Sequence, residues 1–193
     1  VDIDGTRTQA KQSLTQIAPE LWIVRVLARL LLALSQQMDG ELSNAYATMF
    51  SNFVKESEQS NQFKATALVT TCVVAFIAAD IVRLKQNATQ ALTLCQDGGL
   101  SQMIGYAHSH LGTVAYLQND FSTAEEHFTF VHKRPYNTYG ENFAPSSCGL
   151  ALIYQARGQE QEARDVVEAA LAFFLATGNP QLFMLMKAFQ AEL

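Results

Sequence analysis

Apolar residues recur along this chain at helical intervals, and the β-branched ones that could signal a strand, such as Val69, Val73, Val74 and Ile77, sit among alanines at the same spacing. The pattern predicts helices separated by short corners. Residues 6–18 put Ala10, Leu14 and Ile17 on one stripe after a corner at Asp4-Gly5. Residues 20–37 place Trp22, Val26, Leu27, Leu30, Leu31 and Leu34 over more than one stripe, which predicts packing on more than one side. Asp39-Gly40 then breaks the chain before a helix from 41 to about 58, with Leu42, Ala45, Met49, Phe50 and Phe53 inward. The polar interval 55–62 reads as an exposed loop. A helix over 63–84 follows, with a corner at Gln86-Asn87, a returning helix over 88–96 and a stop at Asp97-Gly98-Gly99. Helices over 100–118 and 121–132 flank Asn119, suited to positive φ, and Asp120, suited to capping. After a connection over 133–145, helices over 146–157 and 159–177 turn at Gly158, and Gly178-Asn179-Pro180 precedes a last helix, 181–193. Pro19, Pro145 and Pro180 all fall at predicted helix starts, where a missing amide costs nothing.

A register runs through these elements. Ala10, Ala45, Ala91, Ala124 and Ala163 each lie five residues past a corner residue, respectively Gly5, Gly40, Gln86, Asn119 and Gly158. They are 35, 46, 33 and 39 residues apart, the two long intervals containing the polar interval and the 133–145 connection. A larger side chain follows four residues on: Leu14, Met49, Cys95, Phe128 and Val167. The stretch 106–128, YAHSHLGTVAYLQNDFSTAEEHF, is the template, with Gly112 and Ala124 small where two helices cross and Phe128 filling the groove beside them. This pattern resembles the tetratricopeptide (TPR) repeat of about 34 residues. The resemblance implies an all-α protein, a right-handed α-solenoid of TPR-like helix-turn-helix repeats. Residues 1–193 would form a single domain of about four helix pairs plus terminal helices, cut from a larger protein whose preceding half-repeat is missing.

Within TPR proteins, residues 106–193 are similar to the helical-repeat region of MalT-like, LuxR-type ATP-dependent transcriptional regulators. The strings that carry the likeness are HLGTVAYLQNDFSTAEEHF, CGLALIYQARGQEQEARDVVEAALAFFLATGNP and KAFQAEL. In that family such a region joins a nucleotide-binding switch to a DNA-binding helix-turn-helix domain and senses an inducer or a regulatory protein. This chain has no GxxxxGK[ST] phosphate loop and no basic recognition helix, so neither ATP nor DNA binding is carried over to it.

Charged residues make up 16% of the chain, well under the usual quarter, so much of the surface must be neutral. A net charge of -5 without a cluster of Lys or Arg on any helix face argues against direct nucleic-acid contact. Cys72, Cys95 and Cys148, each in an apolar helical pattern, read as buried free thiols of a cytoplasmic protein. The apolar run 65–79 is too short to span a membrane, and no signal peptide is visible.

No catalytic constellation emerges. His108 and His110 lie two apart and so on separate helix faces, which reads as ordinary packing rather than a metal pair; His127 and His132 read as surface residues. The sequence therefore predicts a non-enzymatic chain with no metal and no cofactor. Its expected binding surface is the concave face formed by the first helix of each pair, presenting Asp80, Arg83, Tyr106, Ser109, Thr113, Tyr116 and Gln155 to a small polar effector or a regulatory protein. Two alternatives stand beside this: that Asp80 and Arg83 merely pair with each other, and that the 133–145 connection, through Tyr136 and Tyr139, makes the contact instead. The expected role is the sensor or interaction domain of a signalling or transcriptional regulator, coupled to other domains of the same polypeptide; the alternative is a protein-protein interaction scaffold for assembly of a complex.

Overall fold

The computed structural model describes residues 2–18, 20–50, 61–98 and 101–193. Among these residues the regular structure is entirely helical. The α-helices are α1 (Ile3–Gln16), α2 (Trp22–Met38), α3 (Leu42–Phe50), α4 (Asn61–Ile77), α5 (Ile81–Gly98), α6 (Ser101–Leu117), α7 (Phe121–His132), α8 (Gly140–Ala156), α9 (Glu160–Ala176) and α10 (Pro180–Glu192). A short 3-10 turn, Pro135–Asn137, lies between α7 and α8. Backbone contacts divide the chain into two compact units, Val1–Gly99 and Leu100–Leu193.

One local device recurs at the helix corners. Gly40, Ala79, Asn119, Gly158 and Gly178 all have positive φ, between 54° and 80°. In each case the next amide reaches back to the carbonyl five residues earlier: Glu41 to Gln36, Asp80 to Ala75, Asp120 to Ala115, Gln159 to Tyr154 and Asn179 to Phe174. This is the Schellman closure, which satisfies carbonyls that the helix end would leave without partners. The first four corners are 39, 40 and 39 residues apart. The true register is thus more even than the sequence reading has it, and longer than the TPR period of about 34.

The difference arises at one corner. The expected turn at Gln86-Asn87 does not exist: both residues lie inside α5, and Asn87 is buried. The chain turns instead at Ala79-Asp80, where alanine adopts the left-handed conformation and the Asp80 side chain accepts from the Arg83 amide, capping α5. The residue five past this corner is Leu84, fully buried like Ala45 and Ala124, so Leu84 and not Ala91 holds the repeat position. The corner at Asp4-Gly5 is likewise absent. Asp2 caps α1 by accepting from the Gly5 amide at 2.8 Å, which lets the helix run through both residues. Third, α8 starts six residues before its expected position and carries Pro145 inside it. The carbonyl that loses its amide partner there belongs to exposed Glu141, the side of a helix where the defect costs least. The loop expected at 55–62 lies outside the described residues except for Asn61 and Gln62, which open α4; the Pro19 boundary and the Gly99 end of α5 also lie outside them.

In the first unit, α2 packs against α1, α3 and α4, and α4 against α5. Trp22 meets Phe63 edge to face at 5.7 Å beside Val26 and Ala67. Of the residues expected to cover α2 on more than one side, Val26 is buried and Trp22, Leu30 and Leu34 are half-buried. The expectation fails for Leu27 and Leu31, each 52% exposed, which form an exposed apolar stripe with Ile23 and Met38. In the second unit, α6 packs on α7 and α8, α7 on α8, and α8 on α9 and α10. Its core gathers Ala124, Phe128, Phe143, Leu150, Ala163, Val167, Phe174 and Met186. Phe128 sits between two glycines. A Cβ at Gly112 of α6 would lie 2.6 Å from one edge of the ring, and a Cβ at Gly149 of α8 would lie 2.5 Å from the other. The small residue expected at Gly112 therefore does allow a close crossing, and Gly149 supplies a second one.

Candidate functional site

The seven residues expected on a concave face have different local roles. In the first unit, Asp80 and Arg83 belong to the opening of α5, not to the first helix of a pair. Arg83 Nε lies 3.5 Å from Asp80 Oδ2, the Tyr46 hydroxyl donates to the same Oδ2 at 3.2 Å, and the Arg83 guanidinium covers the Tyr46 ring at 3.9 Å. This joins α3 to the start of α5 and engages both charges with each other. Burial, reinforced by the Asp80 carboxylate, pushes the Tyr46 hydroxyl up to about 12.

In the second unit, Ser109 is buried. Its Oγ donates to the Asn142 carbonyl at 3.3 Å and accepts from Ser146 Oγ at 2.9 Å, so it ties α6 to α8. Tyr106 is half-buried against Tyr139, with ring centroids 5.5 Å apart. Thr113 donates to the Ser109 carbonyl one turn back, Tyr116 packs on Phe121, and exposed Gln155 donates to the Leu193 carbonyl at 2.8 Å. In the connection, Tyr136 and Tyr139 are exposed, and Tyr136 meets Phe173 edge to face at 5.2 Å. A Cβ at Gly105 would collide with the Asn137 carbonyl, so that glycine is what lets the turn lie against α6.

The structure joins residues that the sequence reading kept apart. His108 of α6 and His127 of α7 meet with their Nδ1 atoms 2.8 Å apart. The His108 ring stacks on Phe130 at 3.8 Å and 12°, which fixes its plane. Gly112, one turn after His108, opens the space through which α7 brings His127 close, since a Cβ there would lie 3.2 Å from His127 Cβ. Neither His127 nor His132 is the surface residue expected. Both are half-buried, and His132 stacks on Phe143 while its Nδ1 meets Ser147 Oγ at 3.1 Å. The signal available in the sequence was the pair His108 and Gly112 at i, i+4, which puts the first imidazole on the crossing face.

All four histidines of the chain are drawn below their usual pKa by burial. His108 falls to about 4, with His127 and Arg134 adding to the effect, and His110 also falls to about 4. Glu126 works in the opposite direction at His127. His110 is buried, and its Nε2 has no hydrogen-bond partner. Free Cys72 and Cys95 are fully buried; free Cys148 is half-buried with its Sγ 3.6 Å from Met186 Sδ. Burial raises the Cys72 thiol to about 12, leaving it unreactive at neutral pH.

Two cavities among the described residues of the second unit are small. One of about 130 Å³ is lined by Gln155, Glu160, Ala163, Arg164 and Leu193, and one of about 170 Å³ by Phe174, Leu175, Gly178, Asn179, Pro180 and Phe183. Both lie below the roughly 300 Å³ at which ligand pockets usually begin. Among the described residues no group of three or more His, Cys, Asp and Glu side chains converges, and no helix is long and apolar enough to cross a membrane. No protein-family model matches this chain, and neither a curated protein nor a solved structure does.

Proposed function

We propose that this chain is a non-catalytic, TPR-like interaction domain built as a right-handed α-solenoid, and that it acts as the effector- or partner-sensing segment of a multidomain cytoplasmic regulator of the MalT-like kind. The observation that carries this reading is the repeated corner: a left-handed residue, a Schellman closure and a buried residue five positions on, returning at 39 to 40 residues. Helix pairs generated by one repeated device stack on their neighbours, and such stacks present extended surfaces rather than deep active sites. The small cavities agree with recognition on a surface. Binding would favour one arrangement of the helix pairs and so bias an attached switch.

The test is a thermal-shift screen of the chain against sugars, nucleotides and amino acids, repeated with Thr113→Ala and Gln155→Ala. A saturable rise in Tm that either variant weakens supports effector sensing through the second unit. A rise that both variants retain moves the binding surface away from these residues. The second reading, an assembly scaffold, is favoured by the exposed stripe of Ile23, Leu27, Leu31 and Met38, because contiguous apolar surface of this kind marks protein contacts. Absence of any small-molecule shift, together with a stable complex that Leu27→Glu abolishes, would decide for it.

A further inference from the structure

We propose that His108 and His127 form a two-imidazole chelate for Cu(II), binding the cation through both Nδ1 atoms across the crossing of α6 and α7. The geometry points to this metal. Metal-imidazole bonds are about 2.0 Å long, so two of them at a right angle hold their nitrogens roughly 2.8 Å apart, and at a tetrahedral angle roughly 3.3 Å. The observed separation is 2.8 Å. The cis edge of a square-planar ion is closer to that separation than the edge of a tetrahedral Zn(II) site is. Cu(II) combines that preferred geometry with the highest place in the affinity order of the divalent first-row ions.

The protein already orients the ligands. Phe130 stacks on His108 at 3.8 Å, and Gly112 admits His127 to the crossing. In the metal-free pair one Nδ1 carries the hydrogen that the other accepts. On chelation that hydrogen moves to Nε2 of the same ring, each ring pivots to bring its Nδ1 lone pair to the cation, His108 within the plane that Phe130 sets, and no proton is lost. Of the charges acting on the pair, the Glu126 carboxylate favours a cation beside His127, and the Arg134 guanidinium opposes one beside His108. Arg134 stays beside the pair, its Nη1 donating to the Phe130 carbonyl and its guanidinium 4.2 Å over the Phe130 ring, so the cation must bind against that charge. Water or an anionic ligand would have to complete the equatorial plane.

The full chain, stripped with a chelator, is titrated with CuCl2 by calorimetry and examined by electron paramagnetic resonance, alongside His108→Gln, His127→Gln and a His132→Gln control. The expected result is one Cu(II) per chain with hyperfine structure from two nitrogens, unchanged in the control. Loss of even an outer-shell partner costs at least about tenfold in metal affinity, so each ligand variant should weaken binding by at least that factor. Zn(II) should bind more weakly than Cu(II) in parallel titrations. The nitrogen count in the unmutated chain stands whether or not the variants fold, which far-UV circular dichroism reports. The proposal is overturned by a wild-type spectrum with fewer than two coordinated nitrogens, by affinity that survives in both folded ligand variants, or by tighter binding of Zn(II).

Discussion

Gly149→Ala should destabilise the protein, against the usual gain from removing glycine within a helix. At an unconstrained helical site the change stabilises by about 1 kcal/mol. Here the new methyl would lie 2.5 Å from Phe128 Cε2, 2.8 Å from Cζ and 3.0 Å from Cδ2. Favourable carbon-carbon contacts begin near 3.5 Å, so the ring must yield by roughly 1 Å. Its opposite edge faces Gly112, where a Cβ would already be 2.6 Å from Cδ1 and Cε1, and α6 stands behind it. Because the ring is held from both sides, tilting it away from one helix drives it into the other. Overpacking of this kind costs about 1 to 3 kcal/mol, which leaves a net loss of up to about 2 kcal/mol after the helix-propensity gain. Urea unfolding followed by far-UV circular dichroism measures it as a lower midpoint at unchanged slope. A double-mutant cycle with Phe128→Leu sharpens the test, because the smaller side chain should absorb the methyl and make the two changes non-additive. A higher midpoint for Gly149→Ala, or additivity with Phe128→Leu, would refute the clamp.

Three further outcomes are expected. The folded-state pKa of His110 is about 4 against 6.5 unfolded, so the unfolded chain binds the extra proton first. Its contribution is therefore fully present above pH 6.5 and lost as pH falls towards 4, a decline of roughly 3 kcal/mol; urea midpoints in metal-free buffers across that window should fall, and His110→Leu should make the decline shallower, His108 still contributing to it. Asp80→Ala removes the cap of α5 and the acceptor of the Tyr46 hydroxyl and should cost about 1 to 2 kcal/mol by urea unfolding, with Asp80→Asn recovering most of it because asparagine also caps. Ala79→Gly should stabilise the fold by up to about 1 kcal/mol, read as a higher urea midpoint, since alanine at φ 54° bears a left-handed penalty that glycine does not.

Local chemistry explains which corners could be read in advance. Gly40, Asn119, Gly158 and Gly178 are residues that accept positive φ cheaply, and the capping side chains Asp120 and Asn179 follow two of them. Ala79 gives no such warning. It ends an apolar run that looks like uninterrupted helix, and only the packing of α4 on α5 makes a left-handed alanine worth its strain. The one local sign was Asp80 itself, read as a groove residue when its carboxylate caps a helix. Moving that corner by seven residues explains why Ala91 took the place of Leu84 in the register.

The expected site was legible as composition but not as geometry. Helical spacing could put Tyr106, Ser109, Thr113 and Tyr116 near one side of α6, yet it could not tell that α8 would cover Ser109 through Ser146 and Asn142. His108 and His127 are nineteen residues apart, and whether their rings meet depends on how closely α6 and α7 cross. By itself the sequence determined that the chain is helical, where most of its helices end, and that Gly112, Ala124 and Phe128 hold two of them together, because periodicity, capping and side-chain size act over a few residues. Only the tertiary structure decided the corner at Ala79, the second glycine against Phe128, the exposed stripe on α2 and the meeting of two imidazoles. Each of these depends on the distance and angle between helices, which are set by the summed packing of many side chains and by no single local signal.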